Sequence, residues 1–160
     1  MKRIFFVLLL VVSITSAAQE SSLSERLRDH VTILASDSLA GRAFGFREKE
    51  MAVSYITGEF RKAGFDSIYN NYIQTFDHKS GLYKAEGMNI IGVIPGSDPV
   101  LAKEFIVIGA HYDHMGYSAS DDGKIVYNGA DDNASGVASV IEIGKMLLGQ
   151  RSLLKRSVII

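Results

Sequence analysis

The chain has 160 residues, with 17 Lys and Arg against 18 Asp and Glu, a formal net charge of −1. That balance excludes a basic surface built for nucleic acid, and 47% hydrophobic with 22% charged residues describes a globular domain, neither a disordered nor a fibrous chain. The absence of cysteine removes disulfides and thiolate ligands, so any metal site must rest on histidine and carboxylates.

Lys2 and Arg3 form a positive start, Ile4 to Val12 a short apolar run, and Ser16, Ala17 and Ala18 a small-residue cleavage site. Residues 1–18 are therefore expected to be a secretory signal peptide, cleaved near Ala18-Gln19, with the mature protein secreted or periplasmic. The apolar run is too short for the roughly 20 residues that span a bilayer, so no membrane partner is expected after cleavage. The mature domain is residues 19–160.

Ser22-Leu23-Ser24-Glu25 fits a capping box. Leu23, Leu27, Val31 and Leu34 then recur at helical spacing. Residues 36–46 hold glycines and small polar residues and read as a loop. A second helix is predicted from Glu48 to Ala63, with Ala52, Tyr55, Ile56, Phe60 and Ala63 on one face and Gly64 ending it. Tyr72 to Phe76 reads as a short strand, Lys79 to Gly87 as a turn region, and Asn89 to Ile94 as a strand closed by Pro95-Gly96.

Phe105 to Ala110 is continuously apolar, the pattern of a central strand buried on both faces. Ser118 to Lys124 reads as a polar loop. Ala134 to Leu148 is a third helix, apolar nearly all round and expected to be mostly buried. Arg156 to Ile160 opens a further buried strand. The order of helices and strands predicts an α/β domain with helices on both faces of a sheet.

Two stretches carry chemistry. Val107 to Ala110 delivers His111 at the C-terminal end of a strand, where open α/β sheets bind ligands, and Asp113 and His114 follow. A metal-bound imidazole usually passes its other N–H to a carboxylate, and His111 with Asp113 fits that pairing. The same residues also describe a polar loop with one hydrogen-bonded histidine. Asn128-Gly129-Ala130-Asp131-Asp132-Asn133-Ala134-Ser135-Gly136 precedes the third helix. Helix N-capping is one account of these residues. Adjacent acids beside an apolar helix otherwise need pairing or a metal.

Together the two stretches, in this order around a polar loop, resemble peptidase family M28, the two-zinc aminopeptidases. Leu34 to Arg42 and Asn89 to Ser97 resemble the segments that precede the metal motif in its secreted bacterial members. The resemblance implies a three-layer zinc-peptidase fold with a central mixed β-sheet between helices, of which this chain is the N-terminal part, truncated at its C-terminus. It implies two Zn2+ ions per complete site and a peptide substrate. His111 matches the first zinc ligand, Asp113 the acid that orients it, and Asp132 the carboxylate that bridges the two ions. Asp131 and Asn133 match no ligand, and His114 is expected to cap or pack.

The resemblance also implies a cis peptide bond after Asp132. It places the general base and the next ligand in a Glu-Glu pair beyond Ile160, followed by an Asp and a His. The 160 residues alone are therefore expected to be inactive, since Glu142 lies mid-helix where the family has no ligand. A glutaminyl-cyclase-like zinc transferase and a non-catalytic interaction domain are the alternatives, the second disfavoured by the presence of both His111 and Asp132. Asp66 to Met88 is too short to hold an inserted protease-associated domain.

Overall fold

A computed structural model describes residues 21–160, so the signal-peptide reading of residues 1–18 lies outside the described residues. Helix α1 (Leu23–Leu34) begins with the foreseen capping box. The Glu25 amide donates to Ser22 Oγ at 3.2 Å, and the Ser22 amide donates to the Glu25 carboxylate at 2.7 Å. Both satisfy amides that the first turn leaves without helical partners. Residues 37–42 then form short tight turns that bury Leu39, Ala40, Gly41 and Arg42, where the composition predicted a plain loop.

Helix α2 (Lys49–Ala63) buries Ala52, Ile56 and Phe60 and stops at Gly64. Gly64 adopts φ 84°, and its amide donates to the carbonyls of Phe60 and Arg61. That left-handed cap costs a residue with a Cβ about 1–2 kcal/mol, which is why glycine ends the helix.

Strands β1 (Ile73–Ser80) and β2 (Tyr83–Ile90) form a long antiparallel hairpin, in register from Ile73 opposite Ile90 to Ser80 opposite Tyr83. The predicted turn region Lys79 to Gly87 is thus largely strand, and only Gly81 and Leu82 make the turn. The ribbon is polar and exposed over most of its length, so it lacks the apolar alternation that marks a half-buried strand. A second hairpin, β5 (Tyr117–Ser120) with β6 (Gly123–Val126), replaces the expected polar loop for the same reason.

Strand β3 (Val93–Ile94), strand β4 (Phe105–Val107) and strand β7 (Ser157–Ile159) make a mixed sheet in the order β3-β7-β4. β7 is its centre, antiparallel to β3 and parallel to β4, and buries Val158. The mixed α/β architecture is as expected. The strand expected to be central is not: β4 lies at the sheet edge, with Phe105, Ile106 and Val107 exposed by 55%, 50% and 70%. An apolar strand is buried only where strands flank both its edges, and among the described residues β4 pairs with β7 alone.

Helix α3 (Ser135–Gly149) buries Val137, Ala138 and Ile141 beside Leu34, Phe60 and Val158. Ile143 and Met146 remain exposed, so its burial is less complete than its composition predicts. Its one buried acid, Glu142, lies in a polar knot between α1, α2 and α3. Arg26 Nε donates to it at 2.7 Å and Lys145 Nζ at 2.9 Å, with His30 Nε2 at 3.1 Å. Burial opposes its charge, but the Arg26, Lys145 and His30 contacts outweigh burial and hold its carboxyl down at about 2. No helix among the described residues is long and apolar enough to cross a membrane.

Candidate metal centre

The parallel strands β4 and β7 end together, and the Ile108 amide extends their pairing by donating to Ile159 O at 2.9 Å. The chain leaving β4 then runs outward as His111-Tyr112-Asp113. In this extended segment alternate side chains part company. Tyr112 turns inward and its hydroxyl donates to Met88 O of β2 at 3.0 Å. Burial, helped by the Asp113 charge, pushes that phenol up to about 12, so it remains a donor at any physiological pH. His111 is left to face solvent.

Asp132 arrives from a different part of the chain. Residues 130–134 form a single wide turn ahead of α3, closed by the Ala134 amide donating to Gly129 O at 3.1 Å. The Asp132–Asn133 peptide bond is cis, as the family resemblance implies. Gly129 sits at φ 59°, and a Cβ there would meet Asp132 O at 2.3 Å and the His114 ring at 2.7 Å. Only glycine permits this approach of the turn to the His111 segment.

The two segments converge. His111 Nε2 stands 3.2 Å from Asp132 Oδ1, and His114 Nδ1 stands 3.5 Å from Asp132 Oδ2. On its other side His111 Nδ1 lies 3.1 Å from Asp113 O and 3.6 Å from Asp113 Oδ1. His111 and Asp132 are exposed by 55% and 62%, whereas His114 is largely buried against the Gly129 turn. All three predicted site residues therefore meet at one sheet edge. His114 packs, as expected, but also faces the second oxygen of Asp132.

Sequence reading missed two residues of this site. Arg42 and Asn128 lie beneath the converging segments and hold them by hydrogen bonds to main-chain carbonyls. The signal available for Arg42 was a lone cation among the small apolar residues Leu39, Ala40, Gly41 and Ala43. An apolar cleft of about 390 Å³ opens beside His111, lined by Ile56, Phe76, Met88, Ile108, Val140 and Ile160 among others.

Residues 89–160 match the model of Peptidase family M28. The M28 resemblance is thereby borne out over a stretch that contains His111, Asp113 and Asp132. No curated protein matches the chain. Among solved structures, the glutaminyl cyclase of Bacteroides thetaiotaomicron bound to N-acetylhistamine is similar with a TM-score of 0.63 at 20% identity, over 86% of this chain and 45% of that one. A Zn-dependent exopeptidase from Parabacteroides distasonis is similar at 0.57 and 18% identity, over 86% and 45%. A leucine aminopeptidase precursor from Bacteroides thetaiotaomicron is similar at 0.57 and 20% identity, over 86% and 46%. These likenesses show the M28-type α/β fold. The chain spans less than half the length of the solved structures it resembles.

Proposed function

We propose that this chain carries part of a two-zinc aminopeptidase site of M28 type, acting on the N-terminal residues of peptides. The observation that carries the reading is the 3.2 Å approach of His111 Nε2 to Asp132 Oδ1 from two separate segments at the C-terminal edge of parallel strands. Imidazole nitrogen and carboxylate oxygen are ligand types that zinc accepts, so the residues present fit the ion as far as they go. His111 would be a terminal ligand and Asp132 the bridge. When bound, zinc at such a site lowers the pKa of water and polarises a scissile carbonyl.

The rest is the work of the chain's own groups. Asp113 holds the Nδ1 side of His111, which presents Nε2 outward. Asp132 offers one oxygen toward His111 and one toward His114. The apolar cleft beside His111 would take a side chain of the substrate and exclude water from it.

Among the described residues no group of three or more His, Asp or Glu is arranged to hold a metal ion. Glu142 is 2% exposed and fully engaged by Arg26, His30 and Lys145, so it cannot act as the base. We therefore read the remaining ligands and the general base as lying outside these 160 residues, and the 160 residues alone as inactive. Export with cleavage at Ala18-Gln19 belongs to the same proposal, and the mature N-terminus found by mass spectrometry tests it.

The likeness to glutaminyl cyclases, at least as close in fold as that to the exopeptidases, supports a second reading as a zinc-dependent cyclase. One experiment separates them. The natural full-length protein is given chromogenic amino-acid amides and, separately, a peptide with N-terminal glutamine. Release of the chromogen identifies the aminopeptidase, cyclisation of the glutamine identifies the cyclase, and neither reaction would leave a non-catalytic domain.

A further inference from the structure

Arg42 is 1% exposed and stands in no ion pair with a carboxylate. A buried guanidinium must find acceptors for its five N–H groups or lose several kcal/mol. Here all its partners are main-chain carbonyls. Nε donates to Tyr112 O at 2.7 Å, Nη1 to Asn128 O at 2.7 Å, and Nη2 to Gly129 O at 2.9 Å; Nη1 also donates to Leu34 O at the end of α1.

The identity of those carbonyls is informative. Tyr112 lies between His111 and Asp113, and Gly129 is the pivot of the turn that presents Asp132. One planar fork therefore spans both segments that converge on the candidate metal centre. The Arg42 main chain adds to the grip, since its own carbonyl accepts from the His114 amide at 3.2 Å and the neighbouring Gly41 carbonyl accepts from Gly116 at 3.0 Å. Arg42 itself adopts φ 53°, a left-handed conformation unfavourable for a residue with a Cβ. Asn128 ties the same turn back to Ala35 O at 2.8 Å and Asp37 Oδ1 at 2.7 Å. Burial pulls the guanidinium below its ordinary pKa, while the charges of Asp113 and Asp132 support it.

We propose that Arg42 is a positioning residue that sets the spacing between His111 and Asp132 before any metal arrives. This rests on reading that pair as metal ligands. The guanidinium touches neither ligand side chain. It fixes the backbone from which each one projects, and its rigid fork does so in a way that a lysine ammonium cannot reproduce.

The test uses the natural full-length protein and has two readouts besides activity. Zn2+ affinity is measured by competition with a chelator for wild type, Arg42→Lys, His111→Ala and Glu142→Gln, each alongside its Tm. Arg42→Lys should weaken zinc binding about 10–100-fold, the range seen when groups that orient metal ligands are lost. Glu142→Gln should lower Tm with zinc affinity unchanged, which separates positioning from general loss of stability. Equal zinc affinity in Arg42→Lys and wild type, with His111→Ala weakened, would overturn the proposal while sparing the metal reading. Unchanged affinity in His111→Ala would sink the metal reading itself. The second readout needs no variant: in metal-free wild type the Arg42 Nε–H should be protected from hydrogen exchange in NMR, and rapid exchange there would overturn a preformed clamp even if Arg42→Lys failed to fold.

Discussion

Two carboxylates in this molecule lie near histidines, and they are treated in opposite ways. Glu142 is 2% exposed and receives Arg26, Lys145 and His30. Asp132 is 62% exposed, faces the His111 and His114 imidazoles, and makes no ion pair with a lysine or arginine. The first is a closed knot whose acceptors are used up joining three helices. The second leaves oxygen lone pairs available at a strand edge, held in place by main-chain bonds instead of side-chain partners. Saturation marks a structural charge and availability marks a candidate ligand.

The largest effect that would sharpen this contrast is in the knot. Glu142→Ala leaves Arg26, Lys145 and His30 without their shared acceptor, and breaking a buried pair from one side costs roughly 3–5 kcal/mol. Chemical denaturation should show that loss, and a cost under about 1 kcal/mol would remove the knot from the account of the fold. The pH dependence follows from the same group. Its carboxyl is held at about 2, below the 4.5 of the free side chain. Its contribution is therefore fully present above pH 4.5 and is lost as pH falls toward about 2. Thermal melts across that window should fall more steeply for wild type than for Glu142→Gln, and parallel profiles would contradict the assignment.

A smaller effect is expected at the turn under the candidate site. Gly129→Ala places a Cβ at φ 59° against Asp132 O and the His114 ring. The conformational cost alone is about 1–2 kcal/mol, and the displaced turn should also weaken metal binding. A variant with wild-type stability and zinc affinity would show that the turn has room to move. The smallest effect is at Asp132 itself. Exposed and without a cation, Asp132→Asn should change stability by no more than about 0.5 kcal/mol, and a loss as large as that of Glu142→Ala would dissolve the contrast between the two carboxylates.

What was legible in the sequence was local. The Ser22–Glu25 box, the Gly64 stop, the strand at Ser157–Ile159 and the convergence of His111 with Asp132 all follow from short patterns whose physics is complete within a few residues. The β1–β2 ribbon was not legible, because its strands are exposed and carry no apolar alternation. β4 misled in the opposite sense: Phe105 to Val107 has a buried strand's composition at a sheet edge that the described residues leave open. Arg42 was illegible because its partners are backbone carbonyls from distant segments, and carbonyls leave no trace in side-chain spacing.

The central claim is that His111 and Asp132 are ligands of one metal centre. The most direct measurement is the zinc content of the natural full-length protein, by atomic spectroscopy after dialysis, beside His111→Ala and Asp132→Asn variants of confirmed fold. The account predicts about two zinc ions per wild-type chain, a deficit in His111→Ala, and the larger deficit in Asp132→Asn because the bridge serves both ions. Equal zinc in all three proteins would contradict it.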